Sequence, residues 1–393
     1  MVPADRQPYR RAVAYFRNDT VNLLNLHYAI HALAMSGGGA FFGAFLLRAG
    51  VPAPMVLSAL AAILAGRFCI RPVVLVLAKR WGLKPLVVVG TVICGLQYPV
   101  LARVHGVDAA LGLLCAVSSI GDTLYWTSYH AYFAALGDDA HRGHQIGARE
   151  AIAAVVGILG PLSAGWALTR LGPQFTFGAT MLVLWLAALP LLRTPDVAVA
   201  TTAPGAFRAS LQGLVLFGTD GWICAGYYYV WQIALFVSLG ESFTAFGGAM
   251  ALSALVGAGL GLLLGRWIDL GHGRRAVWLG VGACAAVTIF RATAYGDPLL
   301  AVGANAAGAL VAAFYVPTLM TGVYTLAKAS PCPLRFHIAA EGGFDAGCAA
   351  GCLTAAVLMW AGAPLSWGIL PALLGAAMMA ALLSRHYARA VKA

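Results

Sequence analysis

Residues 193–210, RTPDVAVATTAPGAFRAS, form the one stretch of this 393-residue chain that has clear linker composition. Its proline, threonine and glycine favour an irregular, solvated backbone. Long apolar runs lie on both sides of it, six before and six after. They cover residues 21–47, 53–78, 85–103, 108–135, 146–169 and 174–192, and then 211–238, 244–268, 276–293, 298–327, 337–361 and 366–384. The linker therefore divides the chain into two halves of equal design.

The composition indicates that lipid, and not water, surrounds these apolar runs. Hydrophobic residues make up 61% of the chain and charged residues 10%, and the mean hydropathy is +0.82. A soluble domain carries about 25% charged residues, so this chain has too few charges to cover a surface that faces water. A run of roughly 20 apolar residues is long enough to cross the hydrocarbon core of a bilayer. We therefore predict an all-α membrane protein with about twelve transmembrane helices.

The lysine and arginine residues orient the helices. If the N-terminus is cytoplasmic, nineteen of the 25 fall on the cytoplasmic side, and the four on the opposite side are Arg48, Arg103, Arg170 and Arg291. Positive residues concentrate in cytoplasmic loops, so both termini are predicted to be cytoplasmic in a bacterial-type inner membrane. Because the positive charges lie at helix ends, the net charge of +11 does not indicate a nucleic-acid partner.

Neither enzymatic motifs nor a cofactor motif is present. The sequence has no P-loop, no zinc-protease helix and no Ser-His-Asp spacing motif. Its eight cysteines are scattered in apolar stretches without a CxxC pair, which favours small buried side chains over a metal framework. We therefore expect a protein that is not an enzyme and that has no cofactor and no resident metal.

The loop after the eighth run, GRWIDLGHGRR at 265–275, contains a glycine, an aspartate and a Gly-Arg-Arg group. It resembles the signature loop of the major facilitator superfamily, with one additional residue between the aspartate and the second glycine. The residues that carry the resemblance are Gly265, Asp269, Gly273, Arg274 and Arg275. The corresponding loop of the first half, LAKRWGLKP at 77–85, is also short and basic but lacks the leading glycine and the aspartate.

A second, partial likeness lies in the fifth apolar run. Gly157, Gly160, Pro161 and Gly165 resemble the Gly-Pro motif in the fifth helix of antiporters of that family. A proline removes one backbone hydrogen bond and bends a helix, while glycines let helices approach closely. The motif therefore has two interpretations, antiport or plain helix packing.

The resemblance implies a fold and a mechanism. It implies two pseudo-symmetric six-helix bundles around a central cavity, with a binding site near the midplane and rocking alternating access. The bundles would cover 21–192 and 211–384, joined by the cytoplasmic linker 193–210. Residues 1–20 and 385–393 would be cytoplasmic ends. We expect the monomer to be the functional unit.

Charged residues at the cytoplasmic ends and inside the second run suggest a gate. Asp269 follows a helix at a point where Arg274 and Arg275 can pair with it, so the group could hold one conformation and release it in another. Arg67 and Arg71 lie inside the second run, and we expect Glu150, at the start of the fifth run, to reach one of them. The alternative is that Asp269 and its neighbours form a simple cytoplasmic anchor.

Four acidic residues inside apolar runs are candidates for proton coupling: Asp122, Asp220, Glu341 and Asp345. A charge at the bilayer centre costs several kcal/mol, so each should face a cavity or a partner. Glu341 and Asp345 lie one helical turn apart together with His337. Repulsion between the two acids would favour a proton on one of them. The alternatives are solvation at the cytoplasmic end or a metal stripe through Cys348 and Cys352.

We expect histidine and aromatic side chains to line the substrate cavity. His27 and His31 share one helical face of the first run, and an acid beside aromatic rings suits an organic cation. Repeat symmetry places Asp220 opposite His31, as a central polar pair. The candidate lining residues are His27, His31, Tyr125, Trp126, Tyr129, Trp222 and Tyr229. The alternatives are packing within the helices and a metal site.

These observations favour one function over two others. The leading interpretation is a secondary active transporter that moves a small organic solute and protons across a bilayer. The first alternative keeps transport but makes the cargo a transition-metal ion, which the histidine, methionine and cysteine residues could pass. The second alternative is a membrane receptor or assembly protein that transports nothing.

Overall fold

The computed structural model describes residues 19–136, 142–268 and 273–390. Within these ranges the described side chains exclude those of 134, 142–153, 260–268, 273–277 and 386–390, and some of those between 310 and 325.

Twelve long helical segments make up the described chain. Their bounds are α1 Asp19–Arg48, α2 Ala53–Trp81, α3 Lys84–Leu101, α4 Ala109–Leu136, α5 Arg142–Arg170, α6 Pro173–Leu191, α7 residues 211–238, α8 Phe243–Ile268, α9 Gly273–Ala294, α10 Pro298–Ala329, α11 Pro333–Trp360 and α12 Ala372–Ala390. In the described ranges, seven segments are long and apolar enough to cross a membrane, and shorter apolar stretches lie in α8, α9 and α10. The all-α membrane fold predicted from the sequence is confirmed.

Two helices are irregular at matching places. α1 runs as Asp19–Ser36, a 3₁₀ turn Gly38–Phe41 and Phe42–Arg48. α7 consists of Leu211–Cys224, a π-helical turn Ala225–Val230 and Trp231–Ser238. When the last residues of the two helices are aligned, the 3₁₀ turn coincides with the end of the π turn. π turns are rare and occur mostly at functional sites, so these breaks mark a place to look for one.

The helix contacts repeat between the halves. In the first half α1 packs on α5 and α6, α4 on α2 and α3, and α3 on α6. In the second half the same pairs recur six helices later: α7 packs on α11 and α12, α10 on α8 and α9, and α9 on α12. The halves meet mainly through α2 with α11 and α5 with α8, which are themselves related by the same shift. The chain is therefore two pseudo-symmetric six-helix units.

Local sequence signals repeat in the same way. Asp108 caps α4 by accepting the backbone N–H of Leu111 at 2.9 Å, and Asp297 caps α10 by accepting those of Leu299 and Leu300 at 2.9 Å. α4 and α10 are equivalent helices, so both halves begin their fourth helix with an aspartate cap. Hydrogen bonds from Leu111 and His105 hold the pKa of the exposed Asp108 below its usual value.

Successive helices alternate in direction, which defines two faces. Residues 192–210 lie at one end, called the linker face, and the loops 49–52 and 239–242 lie at the opposite end, called the hairpin face. The linker is tied to both halves: Arg335 of α11 donates to the carbonyls of Ala200 and Thr201, and Tyr132 of α4 hydrogen-bonds Thr194.

The two halves pack closely near the hairpin face. Phe41 of α1 contacts Phe243 and Phe246 of α8, with ring centroids 6.0 and 5.3 Å apart. A Cβ on Gly165 of α5 would lie 2.6 Å from the carbonyl oxygen of Phe243. The glycines of α5 thus make the close approach to α8 that the packing interpretation of the Gly-Pro motif requires. Its meaning for antiport stays a prediction.

Candidate functional site

Two buried arginines of α2 face two acids of α11. Arg67 and Arg71 lie one turn apart on α2, and Glu341 and Asp345 lie one turn apart on α11, so the pairs meet in register. Arg71 donates through Nε to Asp345 Oδ2 at 3.0 Å, and its two terminal nitrogens pair with Glu341 and Asp345. Arg67 Nη2 lies 3.0 Å from Asp345 Oδ1. Arg71 is 1% exposed and Asp345 is 0% exposed.

Helix α4 completes this group. Asp122 Oδ2 lies 3.9 Å from Nη1 of Arg67, and Thr127 accepts from Arg71 at 2.7 Å while donating to Glu341 at 3.2 Å. We call Arg67, Arg71, Asp122, Glu341 and Asp345 the charge cluster. It joins the N-terminal half, through α2 and α4, to the C-terminal half, through α11.

The charge cluster changes two expectations. Repulsion between Glu341 and Asp345 was expected to be the dominant effect, but both acids are compensated by Arg71, which lies between them. Glu150 was expected to partner Arg67 or Arg71. The acidic partners of these arginines within the described side chains are Asp122, Glu341 and Asp345, and the side chain of Glu150 lies outside the described residues.

The two histidines of α1 are packed in the N-terminal half. His27 is 0% exposed and His31 is 2% exposed. His27 uses Nδ1 to bond the carbonyl of Ala187 at 2.7 Å and Nε2 to bond the hydroxyl of Tyr125 at 3.0 Å. His31 stacks on Tyr125 with ring centroids 4.2 Å apart. The sequence placed these side chains on a cavity wall, whereas both His27 ring nitrogens have partners inside the half.

Of the other predicted aromatic residues, some are packed inside one half and some line a cavity. Tyr129 is 1% exposed and its ring lies 5.6 Å from that of His27, and Trp222 donates its indole N–H to the carbonyl of Pro371 at 2.8 Å. Trp126 and Tyr229 do line cavities. Direct contact with a solute therefore fits Trp126 and Tyr229 best among the predicted aromatic residues.

Asp220 lies in the C-terminal half with a partner that the sequence did not indicate. Tyr315 of α10 donates its hydroxyl to Asp220 Oδ1 at 2.7 Å. The offset that aligns the ends of α1 and α7 also aligns Tyr125 with Tyr315, so each half has a tyrosine of its fourth helix bonded to a polar residue of its first. The sequence predicted Asp220 and His31 as a central polar pair, but in the structure Asp220 bonds Tyr315, whereas His31 stacks on Tyr125.

Three cavities surround these groups. One of about 170 Å³ is lined by Arg67, Asp122 and Tyr229, and one of about 570 Å³ by Arg291 and Trp231. The two share Met35, Gly39, Ala40, Tyr228 and Gln232, which lie at or beside the breaks in α1 and α7. The two cavities are therefore neighbours between the halves, and together we call them the central cavity. A third cavity of about 360 Å³, towards the linker face, is lined by Trp126, Asp220 and Glu341.

Part of the predicted gate at the linker face lies outside the described residues. Asp269 lies outside the described residues, as do the side chains of Arg274 and Arg275. Sequence reasoning missed Thr127, Tyr315 and Gln232 as site residues, and it counted Arg291, which lies in the run 276–293, among the charges on the side opposite the cytoplasm. In the structure Arg291 lies inside α9, three residues before its end, and its side chain is buried.

Comparison with known proteins first defines the class of fold. No protein-family model matches the sequence, and no curated protein matches it by sequence. Solved structures do match over nearly the whole chain, and they are membrane transporters with the major facilitator fold.

The particular structures are peptide and nucleoside transporters. The chain is similar to an auto-inhibited POT family peptide transporter with a TM-score of 0.71 and 11% identity, over 94% of this chain and 97% of that chain. It is similar to the nucleoside transporter NupG with a TM-score of 0.63 and 13% identity, over 94% and 98%. The POT family transporter PepTSo gives a TM-score of 0.67 and 11% identity, over 94% and 99%. At these identities the likeness establishes the fold.

Proposed function

We propose that this protein is a secondary active transporter that couples movement of a small organic solute to movement of protons by alternating access. The charge cluster between α2, α4 and α11 is the observation that carries this proposal. The fold supports it, because solved proteins of this architecture include transporters of peptides and nucleosides. The central cavity between the halves supplies the place for a solute.

The charges of the cluster do not balance. Its three carboxylates face two guanidinium groups, which stay protonated in proteins. With every group ionised, one negative charge is left in a buried site, where an uncompensated charge is costly. One proton on Glu341, Asp345 or Asp122 removes this excess. The cluster is thus suited to taking up and releasing a single proton.

Proton binding is linked to motion because the cluster spans the two halves. Arg71 lies about ten residues, or roughly 15 Å, from the linker end of α2. Opening the linker face would separate it from Glu341 and Asp345, leaving buried charges unpaired. A proton on one acid lowers that cost, so protonation and opening favour each other. Asp220 lines the same cavity as Glu341 and could accept the proton that Glu341 releases.

Reconstitution in liposomes tests this function. The purified protein is placed in vesicles that contain a pH-sensitive dye, and dipeptides, nucleosides and other small solutes are added in turn. We expect proton movement only with a transported solute. Glu341→Gln and Asp345→Asn should abolish solute-driven proton movement. Glu241→Gln, an equivalent change on the hairpin face where the side chain is 40% exposed, should behave as wild type.

Two outcomes would favour the alternatives. Proton movement that is absent with every solute, together with uptake of a divalent metal, would support a metal transporter. The geometry gives no support to that reading, since no three-residue group of His, Cys, Asp or Glu suited to a metal occurs in the part of the chain described. A receptor or assembly protein predicts that Asp220→Asn and Glu341→Gln leave every solute gradient unchanged.

The remaining sequence predictions belong to the same proposal. The halves 21–192 and 211–384 would rock about the linker 193–210, with both termini in the cytoplasm of a bacterial-type cell and a monomer as the working unit. Asp269, Arg274 and Arg275 would form a second gate at the linker face. Asp269→Asn should weaken solute-driven transport without lowering the amount of folded protein.

A further inference from the structure

Arg291 is a buried cation without a described acidic partner. It is 5% exposed, and no described carboxylate lies within ion-pair distance of it. Its side chain leans back along α9 and reaches Gly308 of α10. Gly308 is about ten residues, or roughly 15 Å, from the start of α10. The guanidinium thus lies well inside the helical part of the molecule and away from the hairpin face.

The contacts of Arg291 use only part of its hydrogen-bonding capacity. Nη1 donates to the backbone carbonyl of Tyr227 at 2.6 Å, and the guanidinium carbon lies 4.0 Å from the centre of the Tyr227 ring and 5.1 Å from that of Trp231. Nε is buried and has no hydrogen-bond partner in the described residues. The bond satisfies a backbone carbonyl of the π turn, and the two rings offset part of the positive charge. No described group accepts the Nε–H, and no described carboxylate pairs with the guanidinium.

The surroundings of Arg291 form a site that a molecule can enter. It lines the cavity of about 570 Å³ with Trp231 and Asn305, a volume in the range of small-molecule pockets. Gln232 lines this cavity too, and its buried Oε1 has no described partner. The wall therefore presents a cation, an unused donor, an unused acceptor and aromatic faces.

We propose that Arg291 binds the carboxylate of the transported solute. This inference rests on the proposed function and names the chemical class of its substrate: a monoanionic organic acid with an apolar or aromatic body. The guanidinium fork matches the two oxygens of a carboxylate. Among the described residues that line this cavity Arg291 is the one charged group, so its single positive charge balances a monoanion and leaves a dianion such as a phosphate monoester uncompensated. Gln232 would accept a hydrogen bond from a donor group of the solute.

Binding to the purified protein tests the site without relying on transport. Thermal unfolding is followed with a thiol-reactive dye, for which the buried Cys284, Cys348 and Cys352 are internal reporters. The probes are monocarboxylates from acetate to 3-phenylpropionate, each paired with its neutral amide. We expect at least one carboxylate to stabilise the wild type far more than its amide. Arg291→Gln should weaken carboxylate binding about 30-fold or more, the effect of removing one partner of a buried charge pair.

Two further variants separate binding from folding. Arg170→Gln removes an exposed arginine at the hairpin face and should bind as wild type. Arg291→Lys keeps the charge but loses the fork, so it should bind the carboxylate with intermediate affinity and remains informative if the glutamine variant fails to fold. The site is refuted if no carboxylate in the series is preferred over its amide, or if both Arg291 variants bind carboxylate like wild type. Carboxylate binding without any solute flux in liposomes would instead overturn the proposed transport function and leave the site standing.

Discussion

Replacing Arg71 with glutamine should be among the most damaging single substitutions in the charge cluster. Arg71 is 1% exposed and is the shared partner of Glu341 and Asp345. In its absence, three carboxylates of the cluster face the single guanidinium of Arg67. The excess of negative charge in this buried region rises from one to two.

The size of the effect follows from the burial. Removing one partner of a buried ion pair costs about 3–5 kcal/mol, because the remaining charge stays buried and unpaired. Arg71→Gln also removes the donor to Thr127. The double variant Arg71→Gln/Glu341→Gln returns the cluster to an excess of one negative charge. The free energy of unfolding of the double variant should therefore be about 2 kcal/mol higher than that of Arg71→Gln alone. This gain is of the size of the interaction energies between contacting residues.

Unfolding in mixed micelles of a mild detergent and SDS measures both quantities. The chain contains 10 tryptophans, so intrinsic fluorescence reports the transition. Wild type, both single variants and the double variant form a thermodynamic cycle. A loss below 1 kcal/mol for Arg71→Gln, or a double variant no more stable than Arg71→Gln alone, would refute the view that this arginine neutralises the acids of α11.

Three further predictions concern stability and the linker. Gly347→Ala should destabilise the protein by about 1–3 kcal/mol in the same micelle titration, since a Cβ there would collide with the α7 backbone at Gly218; Gly178→Ala, with open space at the Cβ position, should be neutral. His27→Phe loses two buried hydrogen bonds and should cost about 1–3 kcal/mol while leaving the affinity of any transported solute unchanged. Arg335→Ala frees the carbonyls of Ala200 and Thr201, so limited proteolysis should cut the linker faster than in wild type; an unchanged cutting rate would contradict the tethering.

The helices could be read from the sequence because lipid imposes a simple requirement. Each crossing needs about 20 apolar residues, and the predicted run 211–238 matches α7 at both ends. The six-plus-six division was visible for the same reason, since residues 193–210 interrupt the apolar pattern. Hydropathy does not report backbone hydrogen bonding, so the 3₁₀ turn of α1 and the π turn of α7 were not foreseen.

The site was predicted less completely because spacing along one helix does not identify partners on another. The spacing of Glu341 and Asp345 showed that they share a face of α11 but not that Arg67 and Arg71 lie opposite. For His27 and His31 the pattern could not separate a cavity wall from the interior of the half. Arg291 was counted among the charges on the side opposite the cytoplasm because a charge near the end of an apolar run is usually solvated, whereas here its long side chain is buried against α7 and α10.

The central claim is that the charge cluster holds the linker face of the two halves together and that protonation releases it. Spin labels on non-natural side chains at Arg80 of α2 and Ala329 of α10, both exposed at the linker face, give the distance between the halves by pulsed electron resonance. The single variants Glu341→Gln and Asp345→Asn each imitate one protonated acid, and at least one of them should shift the distribution to longer distances than in wild type. Superimposable distributions at low and high pH and in both variants would contradict the account.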